Sequence, residues 1–127
     1  MAEGSGEVSR QRLFAALRSR WSAATSVDPA WSSGNPALGQ CAVTALVIQE
    51  YLGGDLIRAK VGTVSHYWNR LPDGDIDLTR EQFSRFVPTD VSVQQRERLL
   101  NNSETRSRYE RLLSQVTAEF ELRENIV

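Results

Sequence analysis

The chain is nearly devoid of two residue types on which much protein chemistry depends: among its 127 residues there is one cysteine, Cys41, and one histidine, His66. A single cysteine excludes an intramolecular disulfide and a multi-thiolate zinc site, and a single histidine removes the usual histidine-rich metal clusters. No metal and no cofactor is therefore expected. Long apolar runs are missing too, since stretches such as Ala45-Leu46-Val47-Ile48 are far too short to cross a bilayer. The first residues, Met1 to Glu7, lack the basic and apolar regions of a secretory signal, so a cytoplasmic location is expected. Nor is there an excess of one charge: the net charge is −1 and the pI about 5.8, which argues against a protein that binds nucleic acid by neutralising phosphates. Neither nucleic acid nor a membrane is expected as a partner, and no motif reports on oligomeric state.

With 40% hydrophobic and 24% charged residues, the composition is that of a globular protein, and a chain of this length buries roughly two thirds of its unfolded surface. The reading is a flexible N-terminus over 1–7 and one α+β domain over 8–127. Its basic residues are unusual in kind, fourteen arginines against the single lysine Lys60. Surface ion pairs at helical spacing, such as Glu104 with Arg108 and Arg106 with Glu110, account for some of them. The functional alternative is an anion or carboxylate pocket, because guanidinium groups grip such ligands bidentately; the spacing does not single out which arginine serves.

Apolar periodicity predicts a helix from Val8 to about Ala24, with Leu13, Phe14, Leu17 and Trp21 recurring at helical intervals. Turn formers from Asp28 to Pro36 then make a loop. Cys41 to Leu52 is apolar on nearly every face, the composition of a central helix, and Gly53-Gly54 ends it. A strand from Asp55 to Val61 leads to an aromatic hairpin, His66 to Leu71, Pro72-Asp73-Gly74, and Asp75 to Thr79. Thr79-Arg80-Glu81-Gln82 has the capping-box pattern and predicts a short helix through Phe83. Periodicity is weak from Val91 to Leu100. It returns in a helix from Ser103 to about Leu122, capped by Asn102 or Ser103.

The only thiol thus opens a helix and the only imidazole lies on a strand. A cysteine at a helix N-terminus has its thiolate stabilised by unpaired backbone N–H groups, and an adjacent imidazolium adds to this. His66 is then the proton shuttle, given an acid to orient it. Asp73, Asp75 and Asp77 compete for that role. A two-residue turn at Pro72-Asp73 sets Asp77 opposite Trp68, on the face of His66, whereas a Pro-Asp-Gly turn with a glycine bulge shifts the register by one; Asp77 is favoured because Asp73 and Asp75 lie nearer the turn tip. The backbone N–H of Cys41 is the first candidate oxyanion donor. Two side-chain amides, Asn35 and Gln40, compete to be the second, and Asn35 is favoured because a sequence neighbour of the thiol tends to point away from it. Trp31 and Trp68 are further candidates for contact with a substrate.

The stretches Asn35-Pro36, Gly39-Gln40-Cys41-Ala42-Val43-Thr44-Ala45-Leu46-Val47, Gly53-Gly54, Ser65 to Leu71 and Ile76 to Phe83 together resemble the bacterial YunG family over residues 31–86. More distantly, His66-x-Trp68 followed by Asp77-x-Thr79 is similar to the histidine and aspartate strands of papain-like and transglutaminase-like enzymes, in which the cysteine also starts a central helix. In papain-like enzymes the amide six residues before the cysteine is usually glutamine, where this chain has Asn35. The resemblance implies a papain-like α+β core, with the cysteine helix packed on a small antiparallel sheet and flanked by N- and C-terminal helices. It also implies a cysteine hydrolase or acyltransferase, with Cys41 as nucleophile, His66 as base and Asp77 as orienting acid, acting on an amide, ester or thioester of a small molecule or side chain. The alternatives are a non-catalytic interaction module of the same fold and a thiol redox sensor.

Overall fold

A computed structural model describes residues 2–126. The chain assembles around helix α2 (Cys41–Leu52), whose Val43, Thr44, Ala45, Leu46, Val47 and Ile48 are all buried. A helix buried on several sides needs partners on several sides, and α2 packs against the sheet on one flank and the C-terminal helix on another. The polar groups taken inside with it are paired. Trp21 Nε1 donates to Thr44 Oγ1 at 2.9 Å, and Asn69 Nδ2 donates to the Ala45 carbonyl at 2.9 Å, as buried polar groups require. The helix stops at Gly53 and Gly54, both at positive φ, and a Cβ on Gly54 would run into the Arg70 carbonyl.

Four antiparallel strands follow: β1 (Asp55–Val61), β2 (Val64–Leu71), β3 (Gly74–Ile76) and β4 (Pro88–Gln94), in spatial order β3-β2-β1-β4. Side chains alternate across each strand, so the sheet has two different faces. Leu56 and Tyr67 point into the main core with the helices, while Ile57, Ala59 and Trp68 form a smaller apolar cluster with Phe86 on the other side. His66 shares the second face with Trp68. The helices α1 (Ala2–Arg20), α3 (Arg96–Leu100) and α4 (Ser103–Ile126) complete the fold, which is α+β with a small antiparallel sheet. No helix among the described residues is long and apolar enough to cross a membrane.

The sequence expectations need several adjustments, one of them in the hairpin, where β3 spans Gly74–Ile76 rather than Asp75 to Thr79. Helix α1 begins at Ala2 rather than Val8, and it ends at Arg20 rather than Ala24. It ends early because Thr25 Oγ1 bonds both the backbone N–H and the carbonyl of Ser22, a side-chain competitor for helical hydrogen bonds. The capping box at Thr79 does not form. The segment Arg80–Gln82 is a single 3-10 turn without a side-chain cap, because the Gln82 Oε1 it would use accepts instead from Gly39 N–H. The stretch Val91 to Leu100 divides between β4 and α3. Its weak pattern has a cause: β4 is an edge strand exposed along most of its length, with its register shifted where Asp90 takes a φ of 56°. Finally, the ion pairs among the described residues join separate elements, as Arg20 does with Glu119 and Arg96 with Glu50, rather than running along α4. Asn102 is the cap of α4, its Oδ1 accepting from Thr105 N–H.

Candidate active site

Cys41 is the first residue of α2, and the preceding Gln40 contributes no side-chain cap. The start of this helix therefore carries no competing side-chain acceptor from its N-cap residue. Cys41 is 9% exposed, and its thiol donates toward the Ser65 carbonyl at 3.9 Å. The next residue on β2 is His66, which has no exposed surface.

The hairpin register brings an aspartate to the histidine. Leu71 pairs with Gly74, Arg70 with Asp75 and Asn69 with Ile76, which is the two-residue turn at Pro72-Asp73. Continued by one step, this register sets Asp77 opposite Trp68 and diagonal to His66. His66 Nε2 and Asp77 Oδ2 lie 2.7 Å apart. The other two aspartates are committed elsewhere: Asp75 accepts from Arg70 and Trp68 Nε1, and Asp73 pairs with Arg10. The Arg70 guanidinium, followed by the Trp68 bond, holds the Asp75 carboxyl below its usual range.

Burial pushes the His66 imidazolium down, but the Asp77 carboxylate and the Cys41 side chain push it up by more, to about 9 from 6.5. At neutral pH the ring is a buried cation between an acid and a thiol. Its remaining nitrogen, Nδ1, has no hydrogen-bond partner, and Asp77 Oδ1 and Gln82 Nε2 are likewise buried and unpartnered. Buried polar atoms without partners are rare in folded proteins; of the four such side-chain atoms among the described residues, one is on His66, one on its partner Asp77 and one on Gln82, while the fourth, Gln115 Oε1, lies on α4. Aromatic rings close the site: Phe83, Phe86 and Trp68 have centroids 4.8, 5.6 and 5.7 Å from the His66 ring. A cavity of about 580 Å³ opens beside it, lined by Gln82, Phe83, Arg85 and the β1–β2 turn.

The other sequence candidates take different places. Gln40 is fully buried, with its Nε2 donating to the Ser22 carbonyl and its Oε1 accepting from Thr25 Oγ1, each at 2.9 Å. Its amide anchors the α1–α2 loop and is not free to serve a substrate. Asn35 is half-buried in that loop, bridged through its backbone to Ser32, and its side chain bonds no other described residue. Trp31 Nε1 donates to the Pro36 carbonyl at 2.8 Å, and Trp68 is 7% exposed with its Nε1 on Asp75. Both indoles therefore have structural partners. Sequence reasoning passed over Gln82, whose place in an apparent capping box disguised its tie to Gly39, two residues before the thiol. No group of three or more His, Cys, Asp or Glu side chains among the described residues is arranged to hold a metal ion.

No solved structure matches the chain. A Bacillus subtilis (strain 168) protein described as "Uncharacterized protein YunG" is 39% identical over 67 residues, a match covering 53% of this chain and 56% of that protein. The chain thus aligns with little more than half the length of that relative. The family profile described as "YunG protein" matches residues 9–121. That match takes in the thiol, the imidazole, the carboxylate and every strand between them, and the chain belongs to the YunG family.

Proposed function

We propose that the protein is a cysteine-dependent hydrolase or acyltransferase of papain-like design, acting on an amide, ester or thioester of a small molecule or a side chain. The observation that carries the reading is the order of groups at His66, with Asp77 at 2.7 Å from Nε2, Nδ1 unpartnered, and the Cys41 side chain acting on the ring. Asp77 fixes the ring orientation and stabilises the imidazolium. Cys41 Sγ attacks the carbonyl carbon, and the tetrahedral oxyanion collects on the Cys41 backbone N–H at the start of α2. The amide of Gln82 is the second donor, since its Oε1 is pinned to Gly39 while its Nε2 is unpartnered. Collapse breaks the bond to the leaving group, which takes the proton from His66, and leaves a thioester on Cys41. Water or an amine then attacks that thioester, giving a proton to His66 and releasing the acyl group.

The burial of the thiol favours one alternative, a redox sensor reacting with something as small as peroxide, which oxidises the thiolate to a sulfenic acid and leaves as water. One experiment separates the two. The protein is exposed in parallel to a panel of acyl thioesters and to hydrogen peroxide, and its intact mass is followed. The hydrolase reading predicts a transient acyl adduct on Cys41 that persists in Asp77→Asn. A sensor gives a single added oxygen with peroxide and no acyl adduct from any member of the panel, which would contradict the proposal.

A further inference from the structure

On the opposite side of the sheet from His66, the helix-covered face meets the α3–α4 corner. There a cavity of about 390 Å³ is lined by Arg58, Tyr67, Gln94, Arg98, Asn102 and Thr105. Arg58 on β1 and Tyr67 on β2 are register partners, and Gln94 lies on the neighbouring β4, so one wall is sheet. Arg98 comes from α3, and Asn102 with Thr105 from the start of α4. No acidic side chain is among the lining residues. Arg10, Arg20, Arg70 and Arg96 each face a carboxylate, whereas no ion pair among the described residues involves Arg58 or Arg98. Arg58 is half-buried, and its one partner is neutral: Nη2 donates to Ser65 Oγ at 2.8 Å. That bond holds the guanidinium in place and leaves most of its five N–H donors unused.

We propose that this cavity binds the phosphate group of a small molecule, gripped between the Arg58 and Arg98 guanidiniums. Two unpaired guanidiniums around a cavity without an acid form a site for an oxyanion carrying more than one charge, and their planar forks match phosphate oxygens bidentately. The tyrosine hydroxyl and the Asn102 Nδ2, whose own Oδ1 is occupied by Thr105 N–H, supply neutral donors for the remaining oxygens. The cavity has the size of a small-molecule site, and the net charge of −1 does not suit a polyanion. This site stands whether or not Cys41 is a nucleophile.

The test is calorimetric titration of the full chain with inorganic phosphate, at ionic strength matched with sodium chloride, in the wild type and in Arg58→Gln, Arg98→Gln and Arg106→Gln. Saturable one-to-one binding is expected, weakened about ten- to hundredfold by the first or second substitution, the loss of a charge-assisted hydrogen bond. Arg106, exposed on α4 outside the cavity, should leave the affinity unchanged when replaced. Because Arg98 is exposed, its variant folds even if that of Arg58 does not. Arg58→Lys, which keeps the charge without the fork, should bind more weakly than wild type. Absence of saturable binding, equal affinity in Arg98→Gln, or equal losses in all three glutamine variants would overturn the proposal. Binding of succinate as tightly as phosphate would overturn the assignment of the ligand class.

Discussion

His66 is buried without residue, yet it is held as a cation up to about pH 9. Such a group needs its charge partners. As the only histidine, it gives a single imidazole resonance, and NMR titration should place its midpoint near 9. In Asp77→Asn the strongest upward influence is gone, burial regains the advantage, and the midpoint should fall by more than a unit. A wild-type midpoint near 6.5, unmoved by that substitution, would show that the pairing does not exist in solution. Gly39 is the second residue on which the site turns. It has a φ of +72°, and a Cβ there would lie 2.8 Å from the Asp28 backbone nitrogen and against Ser26 Oγ. Gly39→Ala should therefore cost on the order of 1–3 kcal/mol in denaturant unfolding and displace the residue two places before the thiol. The approach of Asp77 to His66 was legible because residue type, element type and hairpin register agree on it. Gln82 was not, since its partner Gly39 is distant in sequence and no local pattern announces a long-range amide contact.

At the scale of elements, the hairpin between β2 and β3 decides which aspartate meets the histidine. Side chains alternate along a strand, so a shift of one position turns Asp77 to the opposite face. Insertion of one glycine between Asp73 and Gly74 should thus remove the His66 contact, together with the Arg70–Asp75 pair, while leaving the helical core in place. The readout is the same imidazole titration, with a fall toward the Asp77→Asn value expected and an unchanged midpoint counting against the register argument. The bounds of α2 and β1 followed from apolar composition and the Gly53-Gly54 stop. Strand β4 did not, because an exposed edge strand buries too little to leave a period in the sequence, and the shift at Asp90 breaks what period remains. The extra residues of α1 escaped for a related reason, since nothing apolar recurs before Val8.

For the whole molecule, the raised His66 value ties stability to pH. A group protonated more tightly in the folded state stabilises that state fully below its unfolded pKa, and the contribution is lost as pH rises through the folded one. Here the window runs from 6.5 to about 9. The thermal midpoint of the wild type should decline across that range, and Asp77→Asn should flatten the decline; an identical slope in both would remove His66 as its source. The aromatic cover gives another prediction. Phe83→Ala should speed modification of Cys41 by a neutral alkylating reagent, since that ring closes the site over the imidazole, and an unchanged rate would show that the thiol is reached by another path. The general architecture, an apolar thiol-bearing helix on a small antiparallel sheet, was readable from periodicity. The arginine cavity was not, because its walls come from three strands, a short helix and a helix start that only the fold assembles. The pH dependence of Cys41 alkylation by iodoacetamide, followed by intact mass in wild type and in His66→Gln, separates a working Cys41–His66 pair from an ordinary buried thiol. A working Cys41–His66 pair predicts that the wild type still reacts at mildly acidic pH, where a free thiol with a pKa of ~8.5 has nearly stopped, and that His66→Gln restores the steep dependence of a free thiol. Identical free-thiol profiles in the two proteins, or an inert thiol in both, would contradict it.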